Sequence, residues 1–304
     1  MIYVVAYKGV FFMKHIIIVN STLLNNWLQK FLDYAKKTFE ERNLSYEIFV
    51  AHSIEERYEF LMSLQKKSRI YIIGGDGTLH RSLHSFVHSI HELVLIPFGT
   101  GNDFARMLVH KKNPYKQFLS SLDLNAKPID ILKINQTYCI NTACFALDND
   151  VANHVHDAKN SIIPKQLSYI FTLVRRLFVY EPNHVEIYVD QEKWFDGKCL
   201  LFTVNNARFY GGGFCMTPKA SIHDGQFNLT LIKDFNLLKL VYKIWPLLTH
   251  APQKLKECIQ LEHHKIKIIS SQGMNLDGEF YPDNDIDIEV LPKSLLLVNE
   301  VKEV

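Results

Sequence analysis

Residues 69–78 read RIYIIGGDGT, an apolar run that ends in a glycine-rich turn. The run at 69–73 is short and rich in β-branched and aromatic residues, which is typical of a buried strand. Apolar residues then recur at helical spacing and predict one helix after the turn: Leu79, Leu83, Phe86, Val87 and Ile90. A strand, a glycine turn and a helix in this order indicate a ligand-binding α/β domain, because ligands bind at the carboxyl ends of such strands.

The same alternation of strand and helix continues on both sides of this stretch. Apolar runs at 15–20, 46–51 and 93–97 predict three further strands. Ser53 and Glu56 form the pattern of a capping box before the helix that follows the second of these runs. We therefore predict a parallel sheet with helices on both faces.

The sequence changes character after about residue 130. Short β-rich runs follow one another, separated by polar residues, glycine and proline, and they predict an antiparallel domain of the sandwich type. One apolar stretch at about 165–180 has helical periodicity, and Arg175 and Arg176 on it suit either a lipid headgroup interface or a helix packed on the sandwich.

Composition excludes several classes of protein. The chain has 304 residues, of which 47% are hydrophobic, and a formal charge of +2, so no strongly basic surface points to nucleic acid. Its five cysteines form no CxxC pair, which favours a reducing, cytoplasmic location. The sequence contains no uncharged apolar stretch of the roughly 18 residues that a spanning helix needs, so we expect membrane contact to be peripheral.

A second glycine loop reads PFGTGNDFAR at 97–106 and follows the next predicted strand. Its polar groups should therefore emerge at the same sheet edge as those of GGDGT, and the two loops can form one cleft. Asp76 and Asp103 supply the oxygen ligands that Mg²⁺ with a bound nucleotide requires. The alternative interpretation, a glycine turn with Asp76 as a helix cap, stays open at this point.

These motifs resemble those of the bacterial diacylglycerol kinase-like lipid kinases. The resemblance covers most of the chain through motifs in a fixed order: GGDGT (74–78), PFGTGNDFAR (97–106), DILK (130–133), NTA (141–143), YGGGF (210–214), DG (224–225) and DGE (277–279). It implies an ATP-binding α/β domain at 1–130, a β-sandwich domain at 131–291 and a C-terminus, 292–304, that returns to the first domain. It also implies an enzyme that phosphorylates a hydroxyl of diacylglycerol or a related lipid in phospholipid biosynthesis.

The resemblance assigns roles to individual residues. Asp277 and Glu279 would face the cleft, where one carboxylate accepts the proton of the substrate hydroxyl and the other orients it. Asp224, with backbone carbonyls around Ser221 and Gln226, would hold a structural Mg²⁺. The ATP-binding residues would be Asn20, Gly74, Gly75, Asp76, Gly77, Thr78, Gly99, Thr100, Gly101, Asn102 and Asp103.

Two positions depart from the family pattern. The first loop of the family contains a proline and glycine, whereas Asn20 is followed here by Ser-Thr-Leu-Leu at 21–24. After GGDGT the family has Leu-Asn-Glu, whereas this chain has Leu79, His80 and Arg81, which places a basic group where an acidic one is usual. These differences predict either another way of holding ATP or reduced activity.

Three functions therefore stay open: a lipid kinase, a soluble-substrate kinase of the NAD kinase type, and a nucleotide- or lipid-binding regulator that has lost catalysis. For the lipid kinase we expect a cytoplasmic protein, peripheral to the inner face of the membrane, with ATP and Mg²⁺ as cofactors. The sequence leaves the oligomeric state open, with a homodimer as one alternative. The i, i+4 histidines at His80, His84 and His88, with His91, are interpreted as an exposed polar helix face.

Overall fold

The structure is a computed structural model, and it divides into two compact units. The N-terminal unit comprises Met1–Ile129 with Lys293–Lys302, and the C-terminal unit comprises Asp130–Pro292 with the last two residues. The residues that it describes are 3–5, 13–110, 113–146, 183–215, 217–233, 254–270 and 272–302. The helical stretch predicted at 165–180, with Arg175 and Arg176, lies outside them.

The N-terminal unit alternates strands with helices, as the sequence predicts. Its strands are β1 (Tyr3–Val5), β2 (Lys14–Asn20), β3 (Tyr46–Ala51), β4 (Ser68–Gly74) and β5 (Glu92–Pro97). Its helices are α1 (Asn26–Glu41), α2 (Ile54–Ser63), α3 (Asp76–His80), α4 (Leu83–Phe86) and α5 (Pro114–Asp123), with 3₁₀ turns at Ser21–Leu23 and Phe104–Met107.

The described residues of the C-terminal unit form mainly strands, as the change of pattern after residue 130 predicts. The strands that begin it or lie in it are β6 (Lys127–Ile134), β7 (Thr137–Cys139), β8 (Thr142–Ala146), β9 (Asn183–Val189), β10 (Glu192–Asn205), β11 (Phe209–Tyr210), β12 (Phe214–Cys215), β13 (Phe227–Lys233), β14 (Cys258–His263), β15 (Lys265–Ser270), β16 (Met274–Leu276), β17 (Glu279–Tyr281) and β18 (Asp285–Leu297). Every strand pair with a determined register inside this unit is antiparallel.

The sheet of the N-terminal unit has the strand order β1-β3-β2-β4-β5, followed by the end of β18. All neighbours from β3 onward are parallel, and β1 alone runs antiparallel to β3. Parallel strands are covered on both faces, which explains why β4 and β5 are buried along their whole length. The carboxyl ends of β2, β4 and β5 consequently meet at one edge.

Side-chain caps fix the starts of the longer helices. Asn25 Oδ1 accepts the N–H of Leu28 at 2.9 Å, and Ser53 Oγ accepts the N–H of Glu56 at 3.1 Å. The Glu56 carboxylate in turn accepts the N–H of His52 at 2.6 Å, whereas a standard capping box would use the N–H of Ser53, one residue later. Each cap satisfies donors that the first helical turn leaves open, and the caps set where α1 and α2 begin after strands β2 and β3.

The prediction of one helix from Leu79 to Ile90 was wrong. Helix α3 ends at His80 and α4 ends at Phe86, after which Val87 is extended. His88 has φ +58° and donates its N–H to the carbonyl of Ser294 at 2.7 Å. His88 is thus bonded to a residue about 200 positions away in the chain, and the helical pattern does not continue to Ile90.

Candidate active site

The first glycine loop turns directly from strand β4 into helix α3. Gly75 is the N-cap residue of α3, and its carbonyl accepts the N–H groups of Thr78 and Leu79, both at 3.1 Å. A Cβ on Gly74 would lie 2.5 Å from the Thr78 side chain. Glycine is needed there because the turn folds back onto its own threonine.

The second glycine loop is held in shape by its own polar side chains. Asn102 has φ +50°, and its side chain accepts the N–H of Gly99 at 2.9 Å and donates to the Gly99 carbonyl at 2.6 Å. Asp103 Oδ1 accepts Arg106 Nε at 3.0 Å, and both Asn102 and Asp103 are buried. These two predicted ATP-binding side chains therefore also build the loop that carries them.

The two loops pack backbone against backbone. A Cβ on Gly99 would lie 2.5 Å from the Cα of Gly75, and a Cβ on Gly75 would lie 3.0 Å from the Cα of Gly99. The N–H of Phe98 also donates to the carbonyl of Gly74 at 2.8 Å. The structure thus brings together residues 74–78 and 99–103, which sequence reasoning placed at one edge.

Asp76 connects the loops through its carboxylate. Its Oδ2 accepts the N–H of Asp103 at 3.0 Å, and its Oδ1 accepts the N–H of Phe104 at 3.1 Å. The alternative that Asp76 merely caps its own helix was wrong, because its bonds reach the 3₁₀ turn that follows the second loop. The carboxylate binds backbone donors of the partner loop, a role that the sequence did not indicate.

Asn20 lies at the same edge, at the end of β2. Its Oδ1 accepts the N–H of Thr22 at 3.1 Å and the hydroxyl of Thr22 at 3.0 Å. This arrangement forms the 3₁₀ turn Ser21–Leu23 without glycine. Nearby, Trp27 stacks on Phe98 of the second loop with ring centroids 4.9 Å apart.

Asp277 in the C-terminal unit follows β16 and has φ +51°. Its carboxylate accepts the N–H groups of Ile140 (3.0 Å), Asn141 (2.9 Å) and Thr142 (3.1 Å), and the Sγ–H of Cys139 at 3.1 Å. Burial, together with the charge of Asp277, raises the pKa of the Cys139 thiol well above its usual range. Asp277 therefore fixes the segment that joins β7 to β8.

Glu279 begins strand β17 two residues after Asp277 and pairs with Leu276 of β16. Its side chain is half-buried. Burial raises the pKa of Tyr281 on the same strand, and the charges of Glu279 and Asp277 contribute to the increase. The sequence left the choice of base between Asp277 and Glu279 open, and the structure gives the two side chains different surroundings.

The three predicted metal-binding residues lie in one turn before β13. Asp224 Oδ1 accepts the N–H of Gln226 at 3.0 Å, Ser221 Oγ accepts the N–H of His223 at 3.3 Å, and the N–H of Gly225 binds Asp130 Oδ2 at 2.7 Å. Burial raises the pKa of Asp224, with contributions from the charges of Asp130 and Glu262. A cation would relieve this concentration of carboxylates, and oxygen donors are the ligands that Mg²⁺ prefers, so the residues fit such an ion.

The histidines after GGDGT do not form one exposed face. His80 and His91 are buried, and His91 Nδ1 accepts the N–H of Ser68 at 3.3 Å. Burial lowers the pKa of both His84 and His91, and the charge of His80 lowers the pKa of His84 further. The interpretation as a solvated helix face was wrong for His80 and His91 because the helix on which it depends is interrupted.

Two glycine loops joined at the carboxyl edge of a parallel sheet define a phosphate-binding class of α/β protein. Residues 14–134 match the diacylglycerol kinase catalytic domain family, and residues 142–299 match the YegS C-terminal NAD kinase beta sandwich-like domain. The chain is 30% identical over 223 residues to a diacylglycerol kinase of Bacillus subtilis (strain 168), covering 72% of this chain and 73% of the relative.

Solved structures agree on the fold. A diacylglycerol kinase structure from Bacillus anthracis is similar with a TM-score of 0.73 at 19% identity, covering 96% of this chain and 99% of the other. An NAD kinase from Archaeoglobus fulgidus, solved in complex with ATP, gives a TM-score of 0.53 at 14% identity, covering 95% of this chain and 94% of the other. The protein belongs to the diacylglycerol kinase-like family of lipid kinases, and it is therefore a phosphotransferase with an α/β domain and a β-sandwich domain. Among the described residues, no helix combines the length and apolarity needed to cross a membrane.

Proposed function

We propose that the protein transfers the γ-phosphate of ATP to a hydroxyl group of diacylglycerol or a related lipid. The observation that carries this proposal is the contact of the two glycine loops, at Gly75 and Gly99, at the carboxyl edge of the sheet. The name of the relative from Bacillus subtilis supports a lipid acceptor, and the ATP complex of the related NAD kinase fold supports the nucleotide.

The joined loops can bind phosphate groups through backbone N–H groups. Helix α3 begins inside the first loop, and glycine lets the backbone approach an anion closely. Asp76 contributes by ordering the second loop, so its effect on ATP binding is transmitted through the N–H groups of Asp103 and Phe104. Bound Mg²⁺ would neutralise phosphate charge, with the Asp103 carboxylate of the second loop as its ligand candidate.

Of the two carboxylates in the DGE motif, we propose Glu279 as the group that accepts the proton of the substrate hydroxyl. Asp277 accepts three backbone N–H groups and a thiol, so a proton transfer to it would weaken the segment 139–142 in each catalytic cycle. Glu279 begins the next strand, β17, and the segment 139–142 supports the position of this strand. Asp277 is accordingly a positioning residue.

The proposal includes a Mg²⁺ ion in the turn of Asp224, with Ser221 and Gln226 contributing backbone oxygens. This ion is structural in the proposal and takes no part in phosphoryl transfer. We further propose that the enzyme meets its lipid at a membrane surface from the cytoplasm, with sedimentation with lipid vesicles as the measurement.

The direct test is transfer of radiolabelled phosphate from ATP to a panel of acceptors. The panel contains diacylglycerol, monoacylglycerol, phosphatidylglycerol, undecaprenol and sphingosine, with NAD as the soluble alternative. We expect a labelled phosphomonoester lipid, and Glu279→Gln should reduce kcat by about 10²- to 10⁴-fold with ATP affinity unchanged. ATP binding without transfer to any acceptor would contradict the proposal and favour the regulator.

A further inference from the structure

Two large apolar side chains are exposed at the start of helix α1. Leu24, just before the helix, is 46% exposed, and Trp27, in its first turn, is 39% exposed. Single exposed apolar residues are normal on a protein surface. Two of them three residues apart, one of them a tryptophan, leave an apolar area in water that a binding partner can cover.

An aromatic cluster holds Trp27 in this exposed position. The indole stacks on Phe98 with ring centroids 4.9 Å apart and meets Tyr115 edge-on at 5.8 Å. Phe31 packs against Trp27 at 6.0 Å and against Tyr115 at 5.3 Å. Because the ring is already ordered, a partner that buries its exposed part has little conformational entropy to offset.

The same cluster joins this surface to the candidate active site. Phe98 lies immediately before Gly99 of the second glycine loop, and Leu24 ends the 3₁₀ turn that Asn20 caps. A partner that covers Leu24 and Trp27 is therefore adjacent to the loops at the carboxyl edge of the sheet.

The charged residues at the start of α1 and of α5 are basic. Lys30 is among the first five residues of α1, Lys116 is the third residue of α5, and both are exposed. Neither helix has an acidic residue in its first turn, and their earliest acidic residues are Asp33 and Asp123. The surface thus complements a negatively charged partner, since each lysine near an anionic lipid surface strengthens binding to it.

A lipid bilayer fits this combination better than a second protein does. Tryptophan is enriched at the level of the lipid headgroups, leucine enters the apolar region below them, and lysine reaches the phosphates. A stable protein interface needs about 800 Å² of complementary surface on each partner, which two side chains do not provide. A fluid bilayer adapts its shape to a small apolar projection.

We propose that Leu24 and Trp27 insert into the headgroup region of an anionic phospholipid bilayer, with Lys30 and Lys116 binding its phosphates. The inference rests on the proposed lipid kinase function and adds to it the surface through which the enzyme docks. Docking in this way holds the glycine loops beside the headgroups, so that the acceptor hydroxyl is phosphorylated without the lipid leaving the bilayer.

The test is sedimentation of the whole protein with vesicles of phosphatidylglycerol or of phosphatidylcholine, without ATP or acceptor lipid. We expect tighter binding to phosphatidylglycerol, weakened by salt. Leu24→Ser should weaken binding about tenfold, because its apolar area no longer enters the bilayer. Lys30→Gln should weaken it about fivefold, the loss of one lysine at an anionic surface. Equal binding to the two lipids would contradict the proposal.

The matched control is Met62→Ser, which also replaces an exposed apolar side chain in the same unit. Met62 is 54% exposed and lies near the end of α2, away from the carboxyl edge at which that helix begins. It should bind vesicles as the wild type does. If Leu24→Ser binds as the wild type does, or if Met62→Ser loses as much binding as Leu24→Ser, the proposal is wrong.

Fluorescence of Trp27 gives a second measurement on the unaltered protein. Vesicles with brominated acyl chains should quench the tryptophan emission of the wild type, and Trp27→Phe, which keeps an aromatic ring in the cluster, should remove this quenching. The chain has three tryptophans, so quenching that persists in Trp27→Phe would come from Trp194 or Trp245 and would overturn the proposal. Trp27 emission that responds to ATP and not to vesicles would also overturn it, because the ring would then contact the nucleotide.

Both measurements are made without turnover. Vesicle binding through Leu24 and Trp27, combined with no phosphoryl transfer to any lipid, would contradict the proposed function and support this surface. Phosphoryl transfer by a protein whose Leu24 and Trp27 variants bind vesicles normally would do the reverse.

Discussion

Asp76 in the N-terminal unit and Asp277 in the C-terminal unit both accept backbone N–H groups, but they connect very different parts of the chain. The first N–H partner of Asp76 is 27 residues away, in the loop after the neighbouring strand. The partners of Asp277 lie 135 to 138 residues earlier. Asp76 thus joins two loops of the candidate site, whereas Asp277 binds a segment that is far away in the sequence.

An aspartate in a functional motif can therefore act by organising the backbone. Both residues belong to motifs that suggested direct chemistry, a metal ligand in one case and a base in the other. Both carboxylates accept backbone N–H groups in the structure: Asp76 those of Asp103 and Phe104, and Asp277 those of the segment 140–142. Substitution of either aspartate should consequently lower the stability of the protein, apart from any effect on the catalytic rate.

The largest stability effect should come from Asp277→Asn. The amide directs N–H groups at backbone N–H donors, so we expect a loss of about 3–5 kcal/mol in the free energy of unfolding. Urea unfolding measures it, with Asp283→Asn, at an exposed position of the same unit, as the control. Wild-type stability combined with a large fall in kcat would show that Asp277 is the base instead.

The next largest effect should come from acid, which should destabilise the N-terminal unit because that unit buries a histidine. Burial, followed by the charge of Arg69, lowers the pKa of His15 to about 4. The unfolded chain takes up this proton below about pH 6.5, whereas the folded chain does not until about pH 4, so stability is lost as pH falls through that interval. The loss should be about 3 kcal/mol.

Unfolding free energies between pH 7 and pH 4 measure this loss. His15→Gln should reduce the pH dependence and leave the smaller contributions of His84 and His91, while His52→Gln, at an exposed histidine, should leave it unchanged. His15 Nδ1 lies 2.8 Å from the Tyr71 hydroxyl, so the variant also lowers stability at neutral pH. An identical pH profile for His15→Gln and the wild type would rule out His15 as the group responsible.

Asp76→Asn should cost less than Asp277→Asn, about 1–3 kcal/mol, because fewer backbone bonds are affected. ATP affinity should fall together with stability, since the second loop loses its support. Asp33→Asn, on the exposed face of α1, controls for the loss of charge. If stability is kept and only the Mg²⁺ dependence of ATP binding disappears, Asp76 is a metal ligand and the comparison with Asp277 fails.

The smallest expected effect concerns Mg²⁺ at Asp224. At a concentration about tenfold above Kd, Mg²⁺ should stabilise the wild type by about 1.4 kcal/mol, and Asp224→Asn should abolish the response. Because the pKa of Asp224 is raised, protonation competes with the ion and the response should weaken as the solution is acidified.

The control for this experiment is Glu186→Gln. His184, Glu186 and Asp196 form an exposed group of side chains that is also suited to a metal, although Lys193 Nζ already lies 2.9 Å from Glu186 and 2.7 Å from Asp196. If the Tm of the wild type does not change in millimolar Mg²⁺, or if the response is lost only in Glu186→Gln, the assignment of a Mg²⁺ ion to Asp224 is wrong.

Local patterns in the sequence predicted much of this structure. The strand predicted at 46–51 coincides with β3, and Ser53 caps α2 as its spacing from Glu56 indicates. The meeting of the two glycine loops follows from parallel strands with a common carboxyl edge. These features depend on neighbours in the chain or on one general rule of sheet geometry.

Features that depend on distant partners were missed. The left-handed conformation of His88, after α4, is accompanied by a bond to Ser294, and the role of Asp277 depends on the segment 139–142, neither of which a local pattern contains. The burial of Arg57 on α2, where only 5% of its surface is exposed, gave no signal, because a basic residue on a polar helix is expected to face solvent. Strand β14 was missed for another reason: Ile259 and Leu261 do alternate with polar residues, but two apolar side chains form too short a run to mark a strand.

Strand β18 has a consequence for how the protein is made. Its last residues pair with β5, and Asn299 binds the backbone N–H and carbonyl of Leu95 across 204 positions of sequence. On the ribosome, the strands β2 to β5 therefore emerge long before the segment that completes their sheet. The β5 edge of this sheet stays open until that segment, about 200 residues further along the chain, has been translated, which is a period of exposure to aggregation and to chaperones.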